Sequence, residues 1–404
     1  MKAGLLLTAL LAVSLPTAVI AQGAKKYGPG VTDTEIKIGN IMPYSGPASS
    51  FGNIGKAEAQ FFKMINDNGG VNGRKINFVS YDDGYSPPKT VEQARKLVED
   101  DEVLFLFNPM GTAGNSAIRK YLNQKKVPQL FVGSGATKFN DPSSFPWTMG
   151  WLPSYQAEAR IYAQYILKNI PDAKIGILYQ NDDLGKDFVQ GLHDGLGGKL
   201  KPVMQISYEF TDPTVDSQIS RLQAAGVNVL LNASTPKFAA QAIRRVATLK
   251  WDVNHFLVAL SSSVGATIRP AGPENAVGIV SSAYAKDPTD PNWANDPGFR
   301  RYQEFIEKYL DGADKSDPAL PYSFNAGNLI VSMLQQCGDE LTRENIMKQA
   351  TNLKDVELDM LLPGIRINTS ASDYEPIDQV QMMRFDGTSW VRFGDMYTAG
   401  NASN

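Results

Sequence analysis

The order of its segments constrains this chain more than any single motif. Apolar runs of strand length alternate with amphipathic runs of helix length, and the rhythm occurs twice. Residues 35–41 alternate as a half-buried strand does, a Pro/Ser/Gly loop spans 43–52, and a helix is expected over 54–67. The glycine-rich 68–73 marks a turn, 75–81 the next strand, and Ser86-Pro87-Pro88 opens a helix over 89–99. Residues 103–107 are apolar throughout, as a strand covered on both faces is. A helix over 115–124 and a strand over 129–132 complete the first run.

The second run predicts helices over 155–170, 187–196, 215–225 and 237–249, with strands over 174–179, 203–210, 227–231 and 255–260. Strands alternating with helices imply an α/β fold of two doubly wound parallel-sheet lobes. The remainder reads as helices over 299–310, 325–336 and 341–350, then a hairpin of 379–385 with 390–393. It is too little for a third domain and is expected to complete both lobes. The chain then crosses between lobes near Gly150, Val280 and Pro363. Lobe 1 is expected over 33–149 and 281–363, lobe 2 over 150–280 and 364–400.

The N-terminus reads differently. Lys2 precedes an apolar run over 3–15, and Val19-Ile20-Ala21 places compact residues before Gln22. That is the pattern of a secretory signal peptide over 1–21, too short for a bilayer span. The only cysteine, Cys337, lies far from that cleavage point, so a lipid-anchored form is not expected. Export without a possible intramolecular disulfide points to a bacterial periplasm, which leaves the sequons at Asn232, Asn368 and Asn401 without meaning.

Composition narrows the chemistry. With 39 Lys plus Arg against 42 Asp plus Glu, no basic surface for nucleic acid is expected. Two His and one Cys leave little for a metal site, and no cofactor is expected. Gly133-Ser134-Gly135 lacks the third glycine of a dinucleotide fingerprint, since Lys138 stands there, and Ser134 lacks nucleophile-elbow spacing. His193 and His255 read as structural, Asp82-Asp83 and Asp182-Asp183 as caps and loop ties, and Cys337 as a buried residue of an apolar helix face. An enzyme is not expected.

What remains are two glycine-rich loops after strands, 108–115 and 133–137. Their backbone N–H groups, a helix N-terminus and the hydroxyls of Thr112 and Ser134 suit a carboxylate, although each loop alone also reads as a tight βα turn.

Around these residues the chain resembles periplasmic solute-binding proteins of the leucine/isoleucine/valine-binding type, which serve ABC importers of hydrophobic amino acids and amides. The matching stretches are Ile36-Lys37-Ile38-Gly39 through Ser45-Gly46-Pro47, the turn at 69–73, Tyr81-Asp82-Asp83 with Pro88 and the 94–98 segment. Asp183-Leu184-Gly185-Lys186, and Asp216-Ser217-Gln218-Ile219 with Ala224-Ala225-Gly226, continue them. The resemblance implies a type I periplasmic binding fold, two lobes joined by three crossovers and closing on a ligand. It implies a monomer whose partners are that small ligand and a membrane permease with its ATPase. It places the ligand carboxylate at Gly111, Thr112, Gly133, Ser134 and Gly135, with Phe51 and Met110 on one wall. Trp151, Leu184, Ser234 and Tyr322 are the other matching or neighbouring positions.

One departure matters. The family holds an α-ammonium with an acidic residue after the strand ending near Leu260, where this chain has Ser261-Ser262-Ser263, and Ser234 replaces an aromatic partner. A buried ammonium without a counter-charge is costly. An aromatic carboxylate is therefore expected over an α-amino acid, with Ser234 and Ser261 meeting ring substituents. Branched-chain amino acids, amides, urea-like solutes and a ligand-sensing subunit of the same fold are the alternatives.

Overall fold

The computed structural model describes residues 25–398; the expected signal peptide, 1–21, lies outside them. A two-residue strand β1 (Lys26–Tyr27) precedes the first unit. That unit comprises β2 (Glu35–Met42), α1 (Gly52–Asp67), β3 (Lys75–Asp82), α2 (Pro87–Arg95), β4 (Leu106–Phe107), α3 (Thr112–Gln124), β5 (Gln129–Val132) and β6 (Thr148–Gly150). The second unit runs α4 (Tyr155–Asn169), β7 (Ile175–Gln180), α5 (Asp183–Leu196), β8 (Met204–Tyr208), α6 (Asp216–Ala224), β9 (Val229–Ala233), α7 (Pro236–Thr248) and β10 (Asn254–Leu257). The single-turn α8 (Arg269–Ala271) and β11 (Val280–Ala283) end it. The tail adds α9 (Pro297–Tyr309), α10 (Ala319–Cys337), β12 (Glu340–Leu341), α11 (Arg343–Ala350), β13 (Gln379–Phe385) and β14 (Trp390–Thr398).

The first sheet has the order β3-β2-β4-β5-β6, all parallel. The second is β14-β13-β11-β10-β9-β7-β8, parallel from β11 to β8, with β13 antiparallel to both β11 and β14. The parallel part of each sheet repeats one order: second strand outside the first, third on the first strand's other side. The order therefore reverses between β2 and β4 and again between β7 and β9. At such a reversal the loops diverge and leave a crevice beyond the carboxyl ends of the strands.

Local chemistry sets the element ends. Asp182 accepts the N–H groups of Leu184 and Gly185, so α5 begins at Asp183, a turn earlier than the apolar pattern alone predicts. Gly197, at φ +54, stops it. The strands β6 and β11 were not expected from the sequence, being short and without alternation. They lie where the chain leaves one sheet for the other. The tail helix α10 covers the first sheet: Phe324 meets Phe61 of α1 edge-on at 5.8 Å, inside the largest apolar cluster. Ile365, Ile367, Tyr374 and Ile377 join the same cluster, and the chain enters the second sheet only at Gln379. No helix among the described residues is long and apolar enough to cross a membrane.

Candidate functional site

The carboxyl ends of the two sheets face one another across a cleft that holds a cavity of about 110 Å³ and opens to solvent. Its place beyond the strand ends is where sheets of this kind bind small molecules. Loops after β2, β4 and β5 bring Phe51, Met110, Gly111, Thr112 and Gly133 to it, and α10 brings Tyr322. From the opposite side come Leu152, Tyr155, Leu184, Thr235, Ala259, Leu260 and Tyr284.

The first wall is built around hydroxyls. Gly111 adopts φ +100, and a Cβ there would lie 2.6 Å from the Tyr85 ring, so the chain turns into α3 only with glycine at this position. The backbone donors expected of the glycine loops are largely spent inside them. Gly111 N–H donates to Gly133 O (3.2 Å), Gly133 N–H to Pro109 O (3.0 Å) and Ser134 N–H to Val132 O (2.7 Å). What remains for a ligand is the uncapped N-terminus of α3 at Thr112, whose hydroxyl is paired with Ser134 at 2.8 Å. Ser134 and Gly135 lie one layer behind the wall. Ser134 Oγ accepts from Ala136 N–H, and a Cβ on Gly135 would overlap the Pro153 carbonyl. The Tyr155 hydroxyl, from the N-terminus of α4, abuts this cluster. Burial pushes its phenol up to about 12, opposed by the Gly135 N–H and the Ser134 and Thr112 hydroxyls.

The second wall keeps its polar groups to itself. Ser234 Oγ donates to Asn232 Oδ1 (2.6 Å), and Ser261 Oγ to Ser234 O (2.5 Å); both residues are fully buried and neither lines the cavity. Trp151 is also buried, edge-on to Phe131 at 5.6 Å and to Tyr322 at 6.4 Å, so it backs Tyr322 instead of facing the cavity. In each case the sequence neighbour lines the cavity: Thr235, Leu260 and Leu152. Under this wall Glu158 accepts from Ala259 N–H (2.7 Å), Tyr162 (2.6 Å) and Ser282 (3.1 Å), which ties the 259 loop to α4. Burial raises its pKa.

Other candidates resolve as structural. His255 Nε2 lies 3.2 Å from the Asn232 amide, buried, and burial pulls the imidazole down to about 3. His193 pairs with Gln205, Asp83 accepts Tyr85 N–H and the Thr90 hydroxyl, and burial pushes the Cys337 thiol up to about 12. Among the described residues no three His, Cys, Asp or Glu side chains are grouped to hold a metal.

Sequence reasoning missed Tyr85, Tyr155, Tyr284 and Asp317. Tyr85 follows the end of β3 and was locatable by that alone; Tyr155 and Tyr284 follow β6 and β11, strands without a sequence signal, and Asp317 sits in a segment with no strand to announce it. Tyr85 crosses the cleft and packs on Phe210 at 4.6 Å between ring centres. Lys138 bonds Asp183 at 2.6 Å, and Arg269 bonds Asp314 at 2.5 Å, so the two sides are drawn together at both rims.

The periplasmic binding protein family model matches residues 35–389. Leu/Ile/Val-binding protein homolog 7 of Brucella suis is 22% identical over 363 residues, covering 85% of this chain and 86% of the homolog. A branched-chain amino acid ABC transporter protein from Thermus thermophilus, solved with bound valine, superposes with TM-score 0.81 at 16% identity, covering 91% of this chain and 97% of that one. An ABC transporter solute-binding protein from Rhodopseudomonas palustris, solved with 3,4-dihydroxybenzoic acid, gives TM-score 0.75 at 16% identity, with 90% and 98% covered. At these identities the two structures show a shared fold.

Proposed function

The chain belongs to the periplasmic binding protein family, and on that premise we propose that it is the solute-capturing component of an ABC importer. Its cleft closes on a small organic acid, an aromatic carboxylate in preference to an α-amino acid, and a membrane permease with its ATPase receives the cargo. It makes and breaks no bond, uses no cofactor, acts as a monomer in the periplasm, and loses residues 1–21 on export without gaining a lipid anchor. The lobes are assigned as 33–149 with 281–363 and 150–280 with 364–400; the apolar packing of Ile365 to Ile377 favours placing the last boundary just before Gln379.

The observation that carries the ligand class is the neutrality of the second wall. After β10 the cavity meets Ala259, Leu260 and Ser263; behind them Ser261 is bonded to Ser234 O, and Glu158 takes three donors on one carboxyl oxygen, with burial raising its pKa toward the neutral form. A ligand ammonium there would be desolvated without a counter-charge. Phe51, Tyr85, Met110, Tyr155, Tyr284 and Tyr322 instead offer flat apolar surface to a ring. The solved neighbour holding 3,4-dihydroxybenzoic acid supports the same choice.

One observation favours a second reading. Asp317 lines the cavity, accepting from Asn53 Nδ2 (2.8 Å) and Ala319 N–H (2.9 Å), and each oxygen retains room for another donor. An acid carrying an amine, including a branched-chain amino acid, would find its counter-charge there. A thermal-shift screen of benzoate, 4-hydroxybenzoate, hydroxycinnamates, leucine, valine, acetamide and urea separates the two. An aromatic carboxylate at a hundred times its Kd raises Tm by about 3 °C. If leucine stabilises the protein and no aromatic acid does, the first reading is wrong and Asp317 becomes the ammonium partner.

A further inference from the structure

Asn108, the residue after β4, adopts φ +50 and is fully buried. Its side-chain amide donates to Phe131 O (2.6 Å) and to the Tyr322 hydroxyl (2.8 Å). The first bond fixes the amide's orientation, because flipping it would set the side-chain oxygen against the Phe131 carbonyl. Tyr322 is therefore the acceptor in the second bond. A phenol has one proton to give, and with Asn108 on its acceptor side that proton turns elsewhere. The Tyr322 hydroxyl makes no other hydrogen bond among the described residues. It lies 3.2 Å from where a Cβ on Gly133 would sit, beside the Met110 thioether, and Tyr322, Gly133 and Met110 all line the cavity.

We infer that Asn108 holds Tyr322 as a one-way hydrogen-bond donor to the bound ligand, making Tyr322 a specificity-determining residue for an acceptor-only group and Asn108 its positioning residue. The inference rests on the reading that a carboxylate enters the cleft, and adds a directional donor from α10 to the uncapped helix N-terminus at Thr112. A carboxylate accepts everywhere and suits such a wall; an amide nitrogen or hydroxyl proton aimed at Tyr322 meets another proton. The Asn108 side-chain oxygen has no partner among the described residues. Leaving a buried oxygen unpaired is unfavourable, so the amide is retained for its two donors. Burial raises the Tyr322 phenol well above its ordinary value, which keeps the proton in place.

The test is calorimetry on the full chain with benzoate and methyl benzoate, using Tyr322→Phe, Asn108→Ala and the double variant. Tyr322→Phe weakens benzoate binding tenfold or more, as expected for a bond to a charged acceptor, and changes methyl benzoate binding less than threefold. Asn108→Ala weakens benzoate in the same way, and the double variant is no worse than Tyr322→Phe alone. Benzoate binding within twofold of wild type in Tyr322→Phe, or losses that multiply, overturns the inference. Should Asn108→Ala not fold, the acid-to-ester contrast in Tyr322→Phe decides. If leucine or hexanoate binds and benzoate does not, the aromatic reading fails and the same variants measured with that acid decide this one. If no carboxylate binds, both fall.

Discussion

The first and second lobes repeat one strand order but present opposite chemistry to the space between them. On the first, Thr112 begins a helix without a side-chain cap and shares its hydroxyl with Ser134, while Tyr322 turns a proton outward. On the second, Ser234, Ser261 and Glu158 are as polar, yet each is paired within its own lobe. The difference lies in where hydrogen bonds are consumed. Two walls with similar serine and threonine content present different faces, an uncapped helix N-terminus and the Tyr322 phenol on one, Ala259 and Leu260 over paired serines on the other.

The largest expected effect breaks the comparison at the backbone. Gly111→Ala forces a side chain into φ +100 and against the Tyr85 ring, and costs about 3 kcal/mol in urea unfolding. Gly226→Ala in the second lobe meets open space at φ +74 and costs about 1 kcal/mol. Equal costs would mean that the cleft loops are no tighter than an ordinary turn.

Next is the response to acid. His255 is held neutral to about 3, below the imidazole's ordinary 6.5, so its contribution is complete above 6.5 and is lost as pH falls toward 3. The stability difference between wild type and His255→Gln changes by about 1.4 kcal/mol per pH unit in that window, about 2 kcal/mol by pH 5. Glu58 of the first lobe, raised by burial, has the other sign: its contribution falls as pH rises, so Glu58→Gln gains on wild type toward alkaline pH. Unfolding curves across pH for both variants check the pair, and parallel slopes would contradict it.

Ligand affinity sharpens the comparison directly. Thr112→Val removes a cradle hydroxyl at constant shape and weakens a bound carboxylate about tenfold by calorimetry. Ser261→Ala leaves affinity within twofold while lowering stability by about 1 kcal/mol, since its hydroxyl serves Ser234 O. The reverse pattern would return Ser261 to the ligand. Smallest is the rim: Lys138→Ala removes a half-exposed pair with Asp183 and weakens binding about twofold, an effect that disappears near 1 M salt.

Much of this was legible in the residues. Alternation announced β2, an apolar run announced the strand containing β4, and glycine placement led to the loops at 111 and 133. Of the paired aspartates, Asp182 caps α5 and Asp82 and Asp83 tie loops, as read, whereas Asp183 reaches across to Lys138 and Ser116. The glycines' own N–H groups were expected to hold the ligand and are instead used by neighbouring carbonyls, a pairing that spacing does not reveal. Trp151, Ser234 and Ser261 missed the cavity by one residue each. At a strand's end successive side chains turn to opposite sides, and no local pattern says which faces the cleft. Tyr284 was hidden because β11, four residues without alternation, was hidden.

The weaving of the chain has a consequence in time. The strands of the first sheet are all present once Gly150 has been made, but α10, which covers them, begins at Ala319. The second sheet waits longer: Val280 pairs with Arg384, and β14 ends at Thr398. Neither half can bury its core as a contiguous fragment, so a chain emerging end-first stays incomplete until Thr398 of β14 appears. Splitting it after Gly150 would keep each large sheet's strands together but strip the first sheet of its covering helix α10.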